Sequence, residues 1–413
     1  MGPPSKRRRL ADPAGDCSDE ICQSATHLEK TSWNGFCEIE SEPALFNVML
    51  REFGVRGVKV QEVVSLEEEM MVFLNKPIYG LIFLFRWRED DVKKQEATCP
   101  DGIWFANQTA SNACASVAML NIVNNIPNID LGENLRHFKE FTMPFTPALR
   151  GDAINNFEFV KRVHNSFARK MDILNADLQL RTDASPKKSS KSSSQDLGEA
   201  EAAFHFIAFM PALGQVWKFD GLERQPHSLG ECAEEDWLEL AKPDILKRMA
   251  AYEQEQIEFS ILGLVRDPLP DLQQELAINI RSLEIITDRL TNHPSPLVSH
   301  LAEQATTLKE TESSFGPDTS LGLTRAMIDA ALAPDNSLSQ YREASLPALI
   351  QHQETLRSAQ RDLRLRLREE QQMQQADDEH AKGRRYDYGP AVRTWLRCLA
   401  RKQQLAELLP RYN

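Results

Sequence analysis

The sequence predicts an α/β domain followed by an α-helical C-terminal extension. Between residues 33 and 267, segments with helical hydrophobic spacing alternate with short apolar runs rich in β-branched and aromatic residues. Beyond residue 267 the composition changes to Leu, Gln, Glu and Arg at helical spacing. The 413 residues are 41% hydrophobic and 26% charged, which excludes collagen-like, wholly disordered and disulfide-scaffold proteins.

The first half of the α/β domain is predicted to alternate between helices and strands. Residues 1–32 are polar without periodicity, and we expect a disordered N-terminal tail there. Apolar residues at helical spacing predict the first helix, over Pro43 to Phe53. The elements that follow are strands over Val58 to Val64 and Ile78 to Phe85, and helices over about 113–124 and about 151–169.

A polar segment interrupts the domain before its last strands. Residues 172–203 include the Ser/Lys-rich run from Ser185 to Ser194, which cannot bury enough apolar surface to order itself, so we expect a long mobile loop. Strands over Phe204 to Met210 and Gln215 to Phe219 then form a hairpin. A last strand over about 257–265 completes a domain that spans residues 33–267.

Residues 268–382 are predicted to form a helical extension. Its helices cover Leu272 to Leu290 and Tyr341 to Met373, and residues 313–339, with Gly-Pro and Pro-Asp pairs, are predicted to be a linker.

In residues 383–413, a further helix places Val392, Trp395, Leu396 and Leu399 on one face. That apolar face needs a partner. Either it docks on another protein or it packs back on residues 341–373 as a helical hairpin.

Charge and cysteine usage bear on partners and compartment. The net charge is −13, but residues 1–10 and 381–413 are basic, an arrangement that favours a basic protein partner over nucleic acid. The sequence has no apolar run long enough for a membrane span and no apolar signal-peptide core near its start, so we expect an intracellular protein. Its seven cysteines are scattered, and we expect reduced thiols. The Lys6 to Arg9 cluster is either a nuclear localisation signal or a solvated basic terminus.

Cys114 is the first candidate for chemistry, because it lies where a polar loop meets an apolar periodic run and should open a helix. A helix N-terminus stabilises a thiolate, which is the nucleophilic form of cysteine. Most cysteines in such positions are buried hydrophobic residues. The position of Cys114 alone does not exclude that alternative.

His205 and Asp220 lie on the two strands of the predicted hairpin, so their side chains can meet. The imidazole would exchange a proton with the thiol and the carboxylate would orient the ring. The alternatives are a core histidine for His205 and a turn residue before Gly221 for Asp220.

Gln108, six residues before Cys114, can supply a second oxyanion donor beside the Cys114 N–H, or be an ordinary loop residue. The competing histidines, His164 in a predicted helix and His227 in a predicted loop, are interpreted as structural or exposed.

Together these residues resemble the ubiquitin C-terminal hydrolase family of cysteine proteases. The resemblance rests on Asn107-Gln108, the run Asn112 to Ala115, Phe204-His205-Phe206 and the run Phe219 to Leu222, and it covers about residues 33–267. It implies a papain-like domain with a knotted backbone, in which Cys114 is the nucleophile, His205 the acid and base, Asp220 its orienting group and Gln108 the oxyanion donor. It also implies that residues 172–203 are the active-site crossover loop, that ubiquitin is the substrate and that no metal or cofactor is needed.

The C-terminal region carries a second resemblance, to the helical extension of the proteasome-associated member of this family. The residues concerned are the run Arg384 to Tyr388 and the amphipathic helix after it. The resemblance implies a cytoplasmic and nuclear enzyme that docks on a proteasomal ubiquitin-receptor subunit through residues 383–413. The predicted docking residues are Tyr386, Tyr388, Val392, Trp395, Leu396 and Leu399.

Two alternatives to the proteasomal enzyme are a chromatin-associated deubiquitinase of the same family, which implies a chromatin-remodelling partner, and an autoinhibited ubiquitin-binding adaptor. A longer insert than the roughly 115 residues here separates the two regions in the chromatin-associated type.

Overall fold

The structure is a computed structural model and describes residues 24–86, 98–184, 204–233, 236–253, 259–292, 318–331, 341 and 344–402. One six-stranded sheet has the order β1-β6-β2-β3-β4-β5, and each neighbouring pair is antiparallel. Because β6 inserts between β1 and β2, the end of the domain returns to the interior of the sheet, next to its edge strand β1. The strands are β1 (Val58–Glu62), β2 (Ile78–Arg86), β3 (Phe204–Ala212), β4 (Gln215–Phe219), β5 (His227–Glu231) and β6 (Ser260–Arg266).

Helices cover both faces of this sheet and form the C-terminal extension. Those of the first half are α1 (His27–Ser32), α2 (Pro43–Phe53), α3 (Glu68–Met71), α4 (Cys114–Val123), α5 (Gly132–Thr142), α6 (Pro147–Asn155), α7 (Glu158–Asn165) and α8 (Lys170–Ala184). The later ones are α9 (Trp237–Glu253), α10 (Leu269–Thr291), α11 (Arg325–Ala330), α12 (Leu346–Arg385) and α13 (Gly389–Arg401). The predicted α/β domain with a helical extension is confirmed. None of the helices in the described residues is long and apolar enough to cross a membrane.

The uninterrupted apolar run of β2 follows from its central place between two cores. Ile82 faces the core that contains α2 and α4, whereas Leu81, Phe83 and Phe85 face a second core on the other side. The second core is closed by Trp237 and other side chains of α9. Since successive strand residues point to opposite faces, a strand covered on both sides must be apolar throughout.

The hairpin between β3 and β4 determines where the candidate site lies. Leu213 and Gly214 both have positive φ, 52° and 74°, and connect the paired residues Ala212 and Gln215. A two-residue turn with two positive φ angles matches the twist of the strands it joins. It therefore fixes the register that carries Phe219 to a position opposite Ala208.

The extension packs on itself and on the α/β domain. Leu276 and Ile280 of α10 share a core with Leu363 and Leu367 of α12. Further along α12, Glu370 accepts a hydrogen bond of 2.7 Å from Nζ of Lys59 in β1. The long helix therefore connects the helical core to the edge of the sheet.

The structure corrects two predictions of disorder. Residues 27–32, assigned to the disordered tail, form α1 with a capping box in which the Glu29 N–H donates to Oγ1 of Thr26 at 3.1 Å. The loop predicted over 172–203 is helical up to Ala184, with Ile173 and Ala176 buried. The helix was missed because residues 172–184 were grouped with the Ser/Lys-rich run that follows them. Residues 185–203 lie outside the described residues.

The helix predicted over 151–169 was also wrong in its limits. It is two helices, α6 and α7, because Phe157 has an extended backbone with ψ of 93°. The predicted linker 313–339 contains a 3₁₀ turn (Thr319–Leu321) and α11, and its buried Leu321 and Ile328 join the core of the extension. Residues 313–317 and 332–339 of that linker lie outside the described residues.

Four further elements, α3, α5, α9 and β5, had not been predicted. His227, expected in a loop, begins β5. The helix α9 contains Pro243, a residue that normally ends a helix.

Candidate active site

Cys114 is the first residue of α4, as its position after a polar loop had predicted. The residue before it, Ala113, caps the helix without a side-chain hydrogen bond, and Asn112 turns the chain with φ of 60°. The first N–H groups of a helix have no acceptor within the helix. The Cys114 thiol is half-buried at this partially positive end, whereas residues 115–123 behind it are buried.

His205 and Asp220 form a buried pair at the same end of the hairpin. His205 is near the start of β3, Asp220 directly follows β4, and both side chains are less than a tenth exposed. Nε2 of His205 lies 2.7 Å from Oδ1 of Asp220. The Leu222 N–H donates to the same carboxylate oxygen at 3.0 Å, so the carboxylate is fixed from two directions.

The protonation of this pair is set by competing effects. Burial disfavours a charged imidazole, but hydrogen bonds to Asp220 and Cys114 outweigh it and raise the pKa of His205 to about 9. Burial likewise opposes the Asp220 carboxylate, yet the hydrogen bond from His205 holds the pKa of Asp220 below its usual value. Because Nε2 is occupied by Asp220, Nδ1 is the ring nitrogen left for the Cys114 thiol.

Gln108 is joined to the segment that follows Asp220. Its backbone N–H donates to the Gly221 carbonyl at 2.8 Å. A Cβ on Gly221 would lie 3.0 Å from the Gln108 Cβ and 3.1 Å from its nitrogen, so a larger residue there would push Gln108 by a few tenths of an ångström. Oε1 of Gln108 is buried without a hydrogen-bond partner among the described residues. Buried polar atoms are normally paired, and exceptions concentrate at functional sites.

The environments of Cys37, Cys99 and His164 indicate structural roles for these residues. Burial raises the pKa of the Cys37 thiol to about 12 and also raises the pKa of Cys99. Burial lowers the pKa of His164 to about 4; its Nδ1 lies 2.8 Å from the Ser116 hydroxyl and its Nε2 2.7 Å from the Cys37 carbonyl. His164 therefore anchors α4 through Ser116, a role that the sequence did not reveal.

This arrangement can perform acyl transfer. A thiol at a helix N-terminus, a histidine that can take and return its proton, a carboxylate that orients the ring and an amide beside them are the parts of a cysteine hydrolase. Within the described ranges, no group of three His, Cys, Asp or Glu side chains could hold a metal ion.

The sequence of this region matches a known family. The profile of ubiquitin carboxyl-terminal hydrolase, family 1, matches residues 36–250, which include all four candidate residues. The chain belongs to this family of cysteine peptidases. Family membership confirms the resemblance on which the expected fold was based.

Individual relatives cover different shares of the chain. A Dictyostelium discoideum protein, ubiquitin carboxyl-terminal hydrolase isozyme L5, is 37% identical over 242 residues, 59% of this chain and 65% of the relative. The Caenorhabditis elegans ubiquitin carboxyl-terminal hydrolase ubh-4 is 35% identical over 257 residues, 62% of this chain and 74% of the relative. A solved structure, the Trichinella spiralis UCH37 catalytic domain bound to ubiquitin vinyl methyl ester, is 32% identical, covers 58% of this chain and all of that one, and has a TM-score of 0.46. The matched part of this chain thus spans 65% of the Dictyostelium protein and 74% of the Caenorhabditis protein.

The predicted docking residues lie just before and on α13. None of the α13 side chains is buried, and the predicted docking residues on and before it are exposed, apart from half-buried Leu399. The two arginines just before them are held by the α/β domain instead. Nε of Arg384 donates to Glu40 at 2.8 Å and its Nη1 to Asp172 at 2.9 Å, while Arg385 lies 4.5 Å from the centre of the Phe167 ring. These contacts were missed because their partners are more than 200 residues away in sequence.

Proposed function

We propose that this chain is a cysteine deubiquitinase that hydrolyses the thioester, isopeptide or peptide bond after the C-terminal Gly of ubiquitin. The observation that carries the proposal is the convergence of Cys114 on the buried His205–Asp220 pair within the residues matched by the family. Ubiquitin enters because the family and the named relatives are ubiquitin carboxyl-terminal hydrolases.

The geometry supports a two-stage reaction. The Cys114 thiolate attacks the Gly carbonyl carbon, and the oxyanion is met by the Cys114 N–H and the Gln108 side chain. Protonated His205 gives its proton to the leaving amine, the C–N bond breaks and a thioester remains. His205 then takes a proton from water, the hydroxide attacks the thioester, and the thiolate leaves as ubiquitin acquires a carboxylate. Asp220 keeps the imidazole in the orientation that both proton transfers need.

Hydrolysis of a fluorogenic C-terminal amide of ubiquitin tests the proposal. The wild type should turn it over, and Cys114→Ala should reduce turnover to background. Cys398→Ala is the matched control, because this exposed thiol lies on α13 outside the site. An inactive wild type, or equal activity in wild type and Cys114→Ala, contradicts the proposal.

We further propose that residues 383–413 dock the enzyme on a ubiquitin-receptor subunit of the proteasome, and that it works in the cytoplasm and nucleus. The exposed apolar side chains of α13 and the arginines around Trp395 support docking, since a Trp flanked by Arg is typical of binding hot spots. A pull-down from cells with the full chain and with a chain ending at residue 382 tests this. Recovery of a chromatin-remodelling complex in place of proteasome subunits would favour the chromatin-associated alternative.

A further inference from the structure

Asn107, which directly precedes Gln108, connects two parts of the candidate site. Its side-chain Nδ2 donates to the Glu223 carbonyl at 2.6 Å and to the Gly221 carbonyl at 3.3 Å. Both acceptors are carbonyl oxygens, so only the NH₂ end of the amide can make these bonds. The side chain therefore spans from the loop before Cys114 to the turn after β4.

The backbone of Asn107 is also fixed on its other side. Its N–H donates to the Pro147 carbonyl at 3.0 Å, at the start of α6. A Cβ on Gly151 would lie 2.2 Å from the Asn107 carbonyl oxygen, so α6 and this loop meet with no room for a side chain between them. The position of Asn107 is thus set by α6, and the hydrogen bonds of its side-chain amide connect α6 to the turn after β4.

The turn that Asn107 contacts is the one that orients the general base. The Glu223 N–H donates to the Asp220 carbonyl at 3.0 Å, and the Leu222 N–H donates to the Asp220 carboxylate. The Gly221 carbonyl accepts from both the Gln108 N–H and the Asn107 amide. The oxyanion donor and the orienting carboxylate consequently share one hydrogen-bonded unit, and the Asn107 side chain supplies its outer bonds.

We infer that Asn107 is a positioning residue that holds Gln108 in register with the His205–Asp220 pair. The inference rests on the proposed hydrolase function and adds a residue to it. Asn107 acts through its neighbours and needs no contact with substrate. A pre-organised donor that is displaced slightly stabilises the transition state much less. Loss of the Asn107 side chain should therefore lower kcat more than it raises KM.

Steady-state kinetics on the fluorogenic ubiquitin amide test this role. Asn107→Ala removes both bonds, and Asn107→Asp keeps the shape but turns a carboxylate towards two carbonyl oxygens. We expect kcat to fall by about ten-fold in both variants with KM within about two-fold. Asn156→Ala is the matched control: its Nδ2 donates to the Asp152 carbonyl at 2.8 Å near the end of α6 and is exposed, so its kcat should match the wild type.

A double variant separates positioning from general stabilisation. If Asn107 acts through Gln108, adding Asn107→Ala to Gln108→Ala should lower kcat by less than about two-fold more. A full ten-fold additional loss overturns the inference, as does a lowered melting temperature with wild-type kcat. An active wild type with an unaffected Asn107→Ala overturns this inference alone. An inactive wild type overturns the proposed function and the inference with it.

Discussion

Nε2 of His205 lies 2.7 Å from Oδ1 of Asp220, although the residues are 15 positions apart. The bond exists because the two-residue turn at Leu213 and Gly214 pairs β3 with β4 and returns the chain to its starting end. It also decides which ring nitrogen is left for Cys114, since Nε2 is taken and Nδ1 remains. A contact built into the sheet is present before any substrate arrives, as the proposed role of His205 as a pre-organised base requires.

The first prediction concerns the alkaline limb of activity. In the proposed reaction the His205 imidazolium is the acid that protonates the leaving amine, and the pKa of His205 is raised to about 9 by its hydrogen-bond partners. The value of kcat/KM for the fluorogenic ubiquitin amide should therefore fall as the pH rises through about 9. Asp220→Asn removes the carboxylate that raises this pKa, so its alkaline limb should move to lower pH.

The pH profile of Asp271→Asn provides the comparison. Asp271 is an exposed carboxylate at the start of α10, paired with Arg266, and its loss should leave the profile unchanged. An Asp220→Asn profile that superimposes on the wild type would show that this carboxylate does not control the acid.

The sequence predicted the places of the candidate catalytic residues in the fold better than their surroundings. Cys114 was expected to open a helix because polar and apolar patterns meet there, and His205 and Asp220 were expected on one hairpin because the turn is local. Asn107 and Arg384 were not recognised as connecting residues, because their partners lie 114 to 344 positions away and no periodicity reports such pairings. The helix α9 was missed since Pro243 interrupts the helical signal, and tertiary packing of Trp237 overrides that local penalty.

The second prediction identifies the nucleophile. A ubiquitin derivative with an electrophilic C-terminus should form its adduct at Cys114, which is half-buried at a helix start beside His205. Cys37 should remain unmodified because burial raises its pKa to about 12 and keeps it protonated. Peptide mapping of the adduct by mass spectrometry decides this, and a modification at Cys99 or Cys232 would reject the assignment.

The third prediction concerns Gln108. Removing its side chain in Gln108→Ala takes away one donor of the proposed oxyanion hole and should lower kcat by about 10²–10³. The affinity for ubiquitin should change little, because the donor acts on charge that develops only in the transition state. Turnover and ubiquitin binding are measured on the same preparations. A loss confined to affinity would make Gln108 a substrate contact.

The fourth prediction concerns the attachment of α12 to the α/β domain. The Arg384 side chain is only 9% exposed and bonds to Glu40, Asp172 and the Phe167 carbonyl. Hydrogen bonds to charged groups contribute about 1.5–3 kcal/mol where they are shielded, as at Asp172, and less at Glu40, which is 52% exposed. Arg384→Ala should therefore release the end of α12 locally. Amide hydrogen exchange of residues 378–385 should accelerate by at least about ten-fold.

Arg366→Ala is the control for this effect. Arg366 lies on the same helix, is about half exposed and is 4.0 Å from Asp362, a pairing of little energetic consequence. Exchange that is equally fast in both variants would mean that the end of α12 is held by something other than the Arg384 contacts.

The last prediction separates docking from internal packing at Trp395. Had α13 packed back on residues 341–373, its Trp would be buried, but the Trp395 side chain is 61% exposed. Trp395→Ala should therefore leave the melting temperature within about 1 °C of wild type, as for most surface substitutions. Hydrolysis of the small ubiquitin amide should also be unchanged, because α13 contributes no residue to the site.

Association with proteasomes should respond differently, since truncating a hot-spot Trp typically costs 2 kcal/mol or more, a loss of at least about thirty-fold in affinity. Leu365→Ala removes another largely exposed apolar side chain from α12 and should keep full association, which controls for a general loss of surface hydrophobicity. Co-purification with proteasomes, measured beside the melting temperature, gives two independent readings. A Trp395→Ala protein that is destabilised yet still co-purifies would assign the Trp to folding of the extension. One that is as stable as the wild type but unbound assigns it to the docking surface.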